Sequence, residues 1–163
     1  MVSVSDKTAT HRVAVVSGQV VMKQSTADLI VKREFGKGDV IEVARLAGIM
    51  ASKRTSELIP LCHPIALDSV DLKLAFAASD SQNTGVGSGT ATLVVSATVV
   101  AEQKTGVEME AFTAVSIACL TVYDMCKSAT GPCELLTFSS NKSRAGRAAI
   151  FAETRSWPTD RSR

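Results

Sequence analysis

The first apolar stretch of the chain, "RVAVVSGQVVM" over residues 12–22, is dense in Val and broken by Ser17-Gly18. Such a run favours a β-strand, and the Ser-Gly pair predicts a bulge or bend within it. "STADLIVKREF" follows, with Ser25 placed to cap a short helix, Asp28 three residues on, and Gly36 as its stop. From about Asp39, the apolar positions Val40, Val43, Ala44, Ala47 and Met50 or Ala51 recur at helical spacing. Gly48 lies inside that pattern among alanines, which points to close packing rather than to a stop. Pro60 ends the helical region, because a residue preceding proline is driven out of the α basin.

Period-two alternation returns at Val70, Leu72, Leu74 and Phe76 against Asp71, Lys73 and Ala75, the pattern of a half-buried strand. "ASDSQNTGVGSG" over 78–89 is a polar, Gly-rich turn, and "TATLVVSATVVAEQ" over 90–103 is a second long strand, so the two pair as a hairpin. Glu110 to about Lys127 is Ala-rich and helical, "CELLTF" supplies a last strand, and the segment after Ser140 is irregular. Strand, helices, two strands, helix and strand are most simply accommodated by a split βαβ arrangement, one antiparallel sheet with helices on one face. The expected organisation is a single domain over 1–140 and an irregular basic tail over 141–163.

A length of 163 residues suits one domain with a real core. Aromatics make up 4% of it, which excludes a base-stacking nucleic-acid platform, since that needs exposed rings. Residues 142–163 hold six Lys/Arg and two Asp/Glu, while the rest of the chain is slightly acidic, so any anion affinity of the body must be local. The tail arginines, among them Arg144, Arg147 and Arg155, are dispersed rather than aligned in a stripe, so no nucleic acid is expected as a partner. Cys62, Cys119, Cys126 and Cys133 form no C-x-x-C pair and no metal-finger spacing, and no apolar run reaches membrane-spanning length. Reduced thiols in the cytoplasm, or in the mitochondrial matrix of a eukaryote, are the expectation, with no membrane as partner.

Four short stretches can carry chemistry. In "LIPLCHP", His63 stands between Cys62 and Pro64 on stiff backbone, where its ring can serve a site or make a structural hydrogen bond. In "GVEME", Glu108 and Glu110 would share one face of an extended segment, as an acid/base pair or as acidic residues favouring a helix start. "YDMCK" sets Asp124 and Lys127 on one helix face, which is equally a surface ion pair. Lys37 in "GKGD" has glycines on both sides and can grip phosphate, although the spacing is not that of a P-loop.

The blocks "KGDVIEVARLAGIMASKRTSELIPLCHP" and "TGVEMEAFTAVSIACLTVYDMCK" resemble the cyclic pyranopterin monophosphate synthase family of molybdenum cofactor biosynthesis, and the resemblance runs from Met1 to about Leu136. It implies a ferredoxin-like α+β fold and a homohexamer, a trimer of dimers with active sites at subunit interfaces. It also implies a lyase that converts 3',8-cyclo-7,8-dihydro-GTP to cyclic pyranopterin monophosphate and releases pyrophosphate. Its catalytic positions fall on Lys37, His63, Glu108, Glu110, Asp124 and Lys127. Its substrate-binding positions fall on Leu61, Cys62, His63, Met109 and Glu110, with Arg12 near the triphosphate. No resident cofactor or metal is implied; Mg²⁺ can accompany the triphosphate, but no dedicated oxygen-ligand pattern is visible.

Attack of a ribose-derived hydroxyl on the α-phosphorus needs cations around the phosphates, a base for the hydroxyl and acids for leaving groups. Lys37, Lys127 and Arg12 can supply the charge, and His63, Asp124 and the glutamates can move protons, with Asp124 and Lys127 expected as a coupled acid/base centre. If one helix joins Glu110 to Asp124, they lie about 21 Å apart along its axis, too far to share one small substrate within a single chain. Ser3 stands where the family has an aspartate, and "FSSNKSRAG" replaces a Gly-rich lysine loop, with Phe138 at the first lysine and Lys142 keeping the second. The alternative these departures raise is a degenerate paralogue that binds a purine nucleotide or stabilises an assembly without turnover.

Overall fold

The computed structural model describes residues 1–77 and 89–127 in full, and the backbone of 128–130 and 134–144. Its elements run β1 (Thr10–Lys23), α1 (Gln24–Lys32), α2 (Val40–Ser52), α3 (Thr55–Leu58), β2 (Ser69–Phe76), β3 (Thr90–Gln103), α4 (Glu108–Thr130) and β4 (Glu134–Arg144). The strands form one antiparallel sheet in the order β2-β3-β1-β4, which places β3 between β1 and β2 and makes the split βαβ, ferredoxin-like topology.

Alternation along the central strands decides which face is covered. Leu93, Val95, Ala97, Val99 and Ala101 of β3 are fully buried, as are Val16 and Val20 of β1, and all look toward the helices. Each large aliphatic side chain removed from water in this way contributes about 1.5–3 kcal/mol. From the other side the core is closed by α4, which buries Ala111, Ala114, Val115, Ala118, Cys119, Val122 and Cys126. Burial pushes the Cys119 thiol up to about 12, so it behaves as a small apolar group. Contrary to the sequence reading, Glu108–Lys127 is long and apolar enough to cross a membrane by length and composition, with a mean hydropathy of 1.3. Here those apolar positions cover the sheet.

The close packing expected around Gly48 is present. A side chain there would stand 2.7 Å from the Ala114 carbonyl oxygen and 3.2 Å from Ala118 Cβ, so α2 lies against α4 where Gly48 has none. Asp39 caps α2, its Oδ1 accepting from the backbone N–H groups of Ile41 at 3.0 Å and Glu42 at 3.2 Å.

One local expectation is met in part and two are corrected. The bulge or bend predicted at Ser17-Gly18 leaves the pairing with β3 regular from Thr10↔Gln103 to Lys23↔Thr90, and shows instead in the pairing with β4, whose register shifts between Gly18 and Gln19 and again between Val15 and Val16. The irregularity belongs to β4, where Thr137 and Asn141 have no partner on β1, because an edge strand can accommodate extra residues more easily than a central one. Ser25 does not cap α1; the helix begins at Gln24, follows Lys23 without a side-chain cap, and ends at Arg33 rather than Gly36. Arg33 sits at φ 57° and ψ 36°, a left-handed conformation that costs an L-residue roughly 1–2 kcal/mol. The last strand continues to Arg144, past the irregularity expected after Ser140. The turn over 78–88 and the tail beyond Arg144 lie outside the described residues.

Candidate functional site

At the C-terminal end of α4, three predicted residues meet. Asp124 and Lys127 are one helical turn apart, and Lys127 Nζ lies 2.6 Å from Asp124 Oδ1. Lys37, carried on the loop between α1 and α2, donates from Nζ to Asp124 Oδ2 and to the Asp124 backbone carbonyl, both at 3.0 Å. Helical spacing in "YDMCK" indicated the first contact; only the fold brings in Lys37, 87 residues away. Hydrogen bonds from Lys127 and Lys37, then their charges, hold the Asp124 carboxyl below the usual carboxylate range. The reciprocal hydrogen bond holds the Lys127 ammonium above its ordinary value. All three side chains are about half exposed (49%, 55% and 53% for Lys37, Asp124 and Lys127), so the pairs do little for stability. What they form is an open cationic surface, two ammonium groups around one carboxylate.

The second group lies at the other end of α4. Glu108 and Glu110 both stand in the first turn of α4, as the helix-start reading has it, and the alternative of an extended segment with a shared face does not hold. Two residues on a helix are about 200° apart, which sends one carboxylate inward and the other outward. Glu110 is 3% exposed, and its carboxyl is raised above the usual range by burial first and by the Glu108 charge second. Glu108 is half-buried and folds its carboxylate back over Gly106, into the space a side chain at Gly106 would need. Backbone hydrogen bonding from Cys62 N–H to the Ile59 carbonyl, at 3.0 Å, turns the chain into the Leu61–His63 stretch. Burial and the Glu110 charge raise the Cys62 thiol, which disfavours the thiolate a nucleophile would need. Cys62 and His63 are half-buried, whereas Leu61 and Met109 leave large apolar surfaces open to solvent.

Arg12 joins this second end. It pairs with Ala101 near the close of β3, and its Nε donates to the Gln103 carbonyl at 3.2 Å. Gln103 Nε2 donates in turn to the Ala66 carbonyl at 3.3 Å, and Asp68 accepts from the Glu102 N–H at 2.9 Å, fixing the segment after His63 to the end of β3. The Lys142 backbone pairs with Val15 at the same end of β1, while its side chain and that of Phe138 lie outside the described residues. Ser3 is exposed just ahead of an N-terminal turn, bonded to Ser5 at 2.9 Å; Lys104, just before α4, donates to the Ser5 carbonyl at 3.0 Å. Among the described residues no group of three His, Cys, Asp or Glu side chains is placed to hold a metal ion.

The structure thus brings Lys37, Asp124 and Lys127 together, and separately sets Cys62 near Glu110 and Glu108, with Leu61 and His63 flanking Cys62, Met109 between the glutamates, and Arg12 bonded to the end of β3 that leads into α4. An unbroken α4 holds the two groups apart, so no single chain unites them. Sequence reasoning missed Arg33, Asp39 and Gly106 as parts of this frame. The signal for Gly106 is the glutamate two residues on.

Fold and polar groups together define a ferredoxin-like α+β protein whose longest helix carries the Lys37–Asp124–Lys127 cluster at one end and Glu108 and Glu110 at the other. The chain belongs to the MoaC family, whose model matches residues 1–139. It is 52% identical over 128 residues to a cyclic pyranopterin monophosphate synthase of Magnetococcus marinus, covering 78% of this chain and 72% of that one. The synthase of Brevibacillus brevis is 45% identical over 148 residues, 88% and 86% of the two chains. Cyclic pyranopterin monophosphate synthase 3 of Mycobacterium bovis is 45% identical over 151 residues, 93% and 79%.

Proposed function

We propose that this chain is an enzyme of molybdenum cofactor biosynthesis, a cyclic pyranopterin monophosphate synthase acting on 3',8-cyclo-7,8-dihydro-GTP. The observation that carries the reading is family membership over residues 1–139 joined to the Lys37–Asp124–Lys127 cluster. Closure of the cyclic phosphate forms a bond from a ribose-derived oxygen to the α-phosphorus, breaks the α–β bridging bond, and leaves pyrophosphate. Charge accumulates on the departing phosphates, where Lys37 and Lys127 are suited to meet it.

Asp124 and Lys127 hold each other in their charged forms, which makes them poor partners for proton exchange until a ligand separates them. In this reading they act first as fixed charge. Glu110, whose carboxyl is shifted upward, is the better proton carrier, with Glu108 in the same turn and with Cys62, the neighbour of His63, close enough to feel its charge. Arg12 serves the phosphate chain.

The length of α4 supports a site built by two chains, with the cationic end of one subunit facing the acidic end of the next. Exposed Leu46, Leu61, Met109, Leu120 and Tyr123 offer apolar surface for such an assembly, and a homohexamer arranged as a trimer of dimers is the form we favour. The test is pyrophosphate release by the purified protein from the cyclic GTP derivative, with Lys37→Ala and Asp124→Ala as controls. Release that both substitutions abolish is the expected result. Binding without release would transfer support to a non-catalytic paralogue, and absence of binding would remove both readings.

A further inference from the structure

Lys37 is useful only if its loop is fixed, and the loop turns through two positive-φ residues, of which only one is glycine. Arg33 takes a left-handed conformation that glycine adopts without strain, and Gly38 takes a positive φ of 100°. Backbone hydrogen bonds secure the first bend, from Arg33 N–H to the Ile30 carbonyl at 3.1 Å and from Glu34 N–H to the Leu29 carbonyl at 3.0 Å. A glycine at position 33 would make the same two bonds with no steric cost, so helix termination does not explain an arginine there. Its side chain supplies the reason. Arg33 Nε lies 3.1 Å from Asp39 Oδ2, while Asp39 Oδ1 is already engaged in capping α2.

We infer that Arg33 is a positioning residue, whose contact with Asp39 closes the 33–39 loop and holds Lys37 against Asp124. The inference rests on Lys37 belonging to the active site. Both ends of the clasp are anchored: Arg33 by the end of α1, Asp39 by the start of α2. Between them, Gly38 N–H bonds to the Phe35 carbonyl at 3.0 Å, which leaves Lys37 at the tip of a tight turn. Beneath the clasp is an open cleft of about 220 Å³, lined by Ile30, Ile41, Leu74 and Phe76 among others, and between Arg33 and Asp39 the loop packs on the core only through Phe35. An exposed ion pair is ordinarily weak. This one joins groups whose backbones are already fixed, so little further ordering is needed to form it.

Arg33→Gly separates a positioning role from a merely structural one. Removing the left-handed strain should leave the melting temperature unchanged or higher, whereas a loosened loop lowers the fraction of enzyme able to bind. Apparent affinity falls in proportion to that fraction, so KM should rise about fivefold or more with kcat within about twofold of wild type. Amide hydrogen exchange over residues 34–38 should accelerate, and Arg33→Lys should restore part of both effects. Unchanged exchange overturns the inference, as does faster exchange with unchanged KM when Lys37→Ala is inactive. Should Lys37→Ala keep wild-type kinetics, the site reading fails and exchange alone decides the clasp: acceleration upholds it, no change overturns it.

Discussion

Gly48 offers a quantitative test of how the helical layer sets the site. In Gly48→Ala the new Cβ would stand 2.6 Å from Leu72 Cδ2, 2.7 Å from the Ala114 carbonyl oxygen and 3.2 Å from Ala118 Cβ. Carbon atoms in favourable contact sit about 3.5–4.0 Å apart. Leu72 can rotate away, but the Ala114 carbonyl belongs to the backbone of α4 and moves only with its helix. Replacing glycine by alanine inside a helix ordinarily gains about 1 kcal/mol. Overpacking a close contact costs about 1–3 kcal/mol, so the variant should lose on the order of 1 kcal/mol relative to wild type. For a chain of this size that lowers the melting temperature by about 2–4 °C. Since α2 follows the Lys37 loop and α4 carries Asp124, separating the helices should also lower kcat/KM. Thermal and urea denaturation beside the pyrophosphate assay would check both effects. A variant that melts at or above the wild-type temperature would refute the close-packing argument.

Three further outcomes are expected. Asp124→Asn should lower kcat about a hundredfold or more. Because the Asp124 carboxyl is lowered from 3.8 and the Lys127 ammonium raised from 10.5, the cluster's contribution is present between those values. Titrated stability of wild type and variant should therefore converge only as pH falls through the depressed carboxyl value or rises through the elevated ammonium value. Glu110→Gln should abolish turnover yet stabilise the protein with rising pH, since the raised Glu110 carboxyl favours the native state below 4.5 and is a penalty once ionised. Urea titrations at acid and alkaline pH would show the gap widening, and a constant gap would count against burial as its cause. Finally, Lys37→Ala and Glu110→Gln chains, each inactive, should recover activity when unfolded together and co-assembled. About one-quarter of interfacial sites then combine two intact halves, and no recovery would exclude a site shared between chains.

Much of the fold was legible because its strongest patterns are the ones burial enforces. The alternation in 70–76 and 90–103 became β2 and β3, and the alanines around Gly48 became the α2–α4 contact. Errors arose where tertiary context overrode local preference. Ser17-Gly18 reads as a break, yet pairing with β3 on one side keeps β1 regular, and the slippage passes to β4. "GVEME" fits an extended segment as well as a helix start, and the fold takes the second, with the Glu108 carboxylate in the vacant space over Gly106. The candidate residues other than Arg12 fall within the two family-like blocks, whereas their division into two groups followed from one distance along a helix. Arg33 gave no signal, since nothing in "KREFGKGD" marks an arginine as left-handed.

The uninterrupted helix that keeps lysine and glutamate ends apart also bears on how activity depends on protein concentration. If each pocket is completed by a neighbour, a chain alone, newly made or strongly diluted, carries two unfinished halves and cannot turn over substrate. Specific activity should then decline on dilution below the association threshold and return on reconcentration, with no unfolding in between.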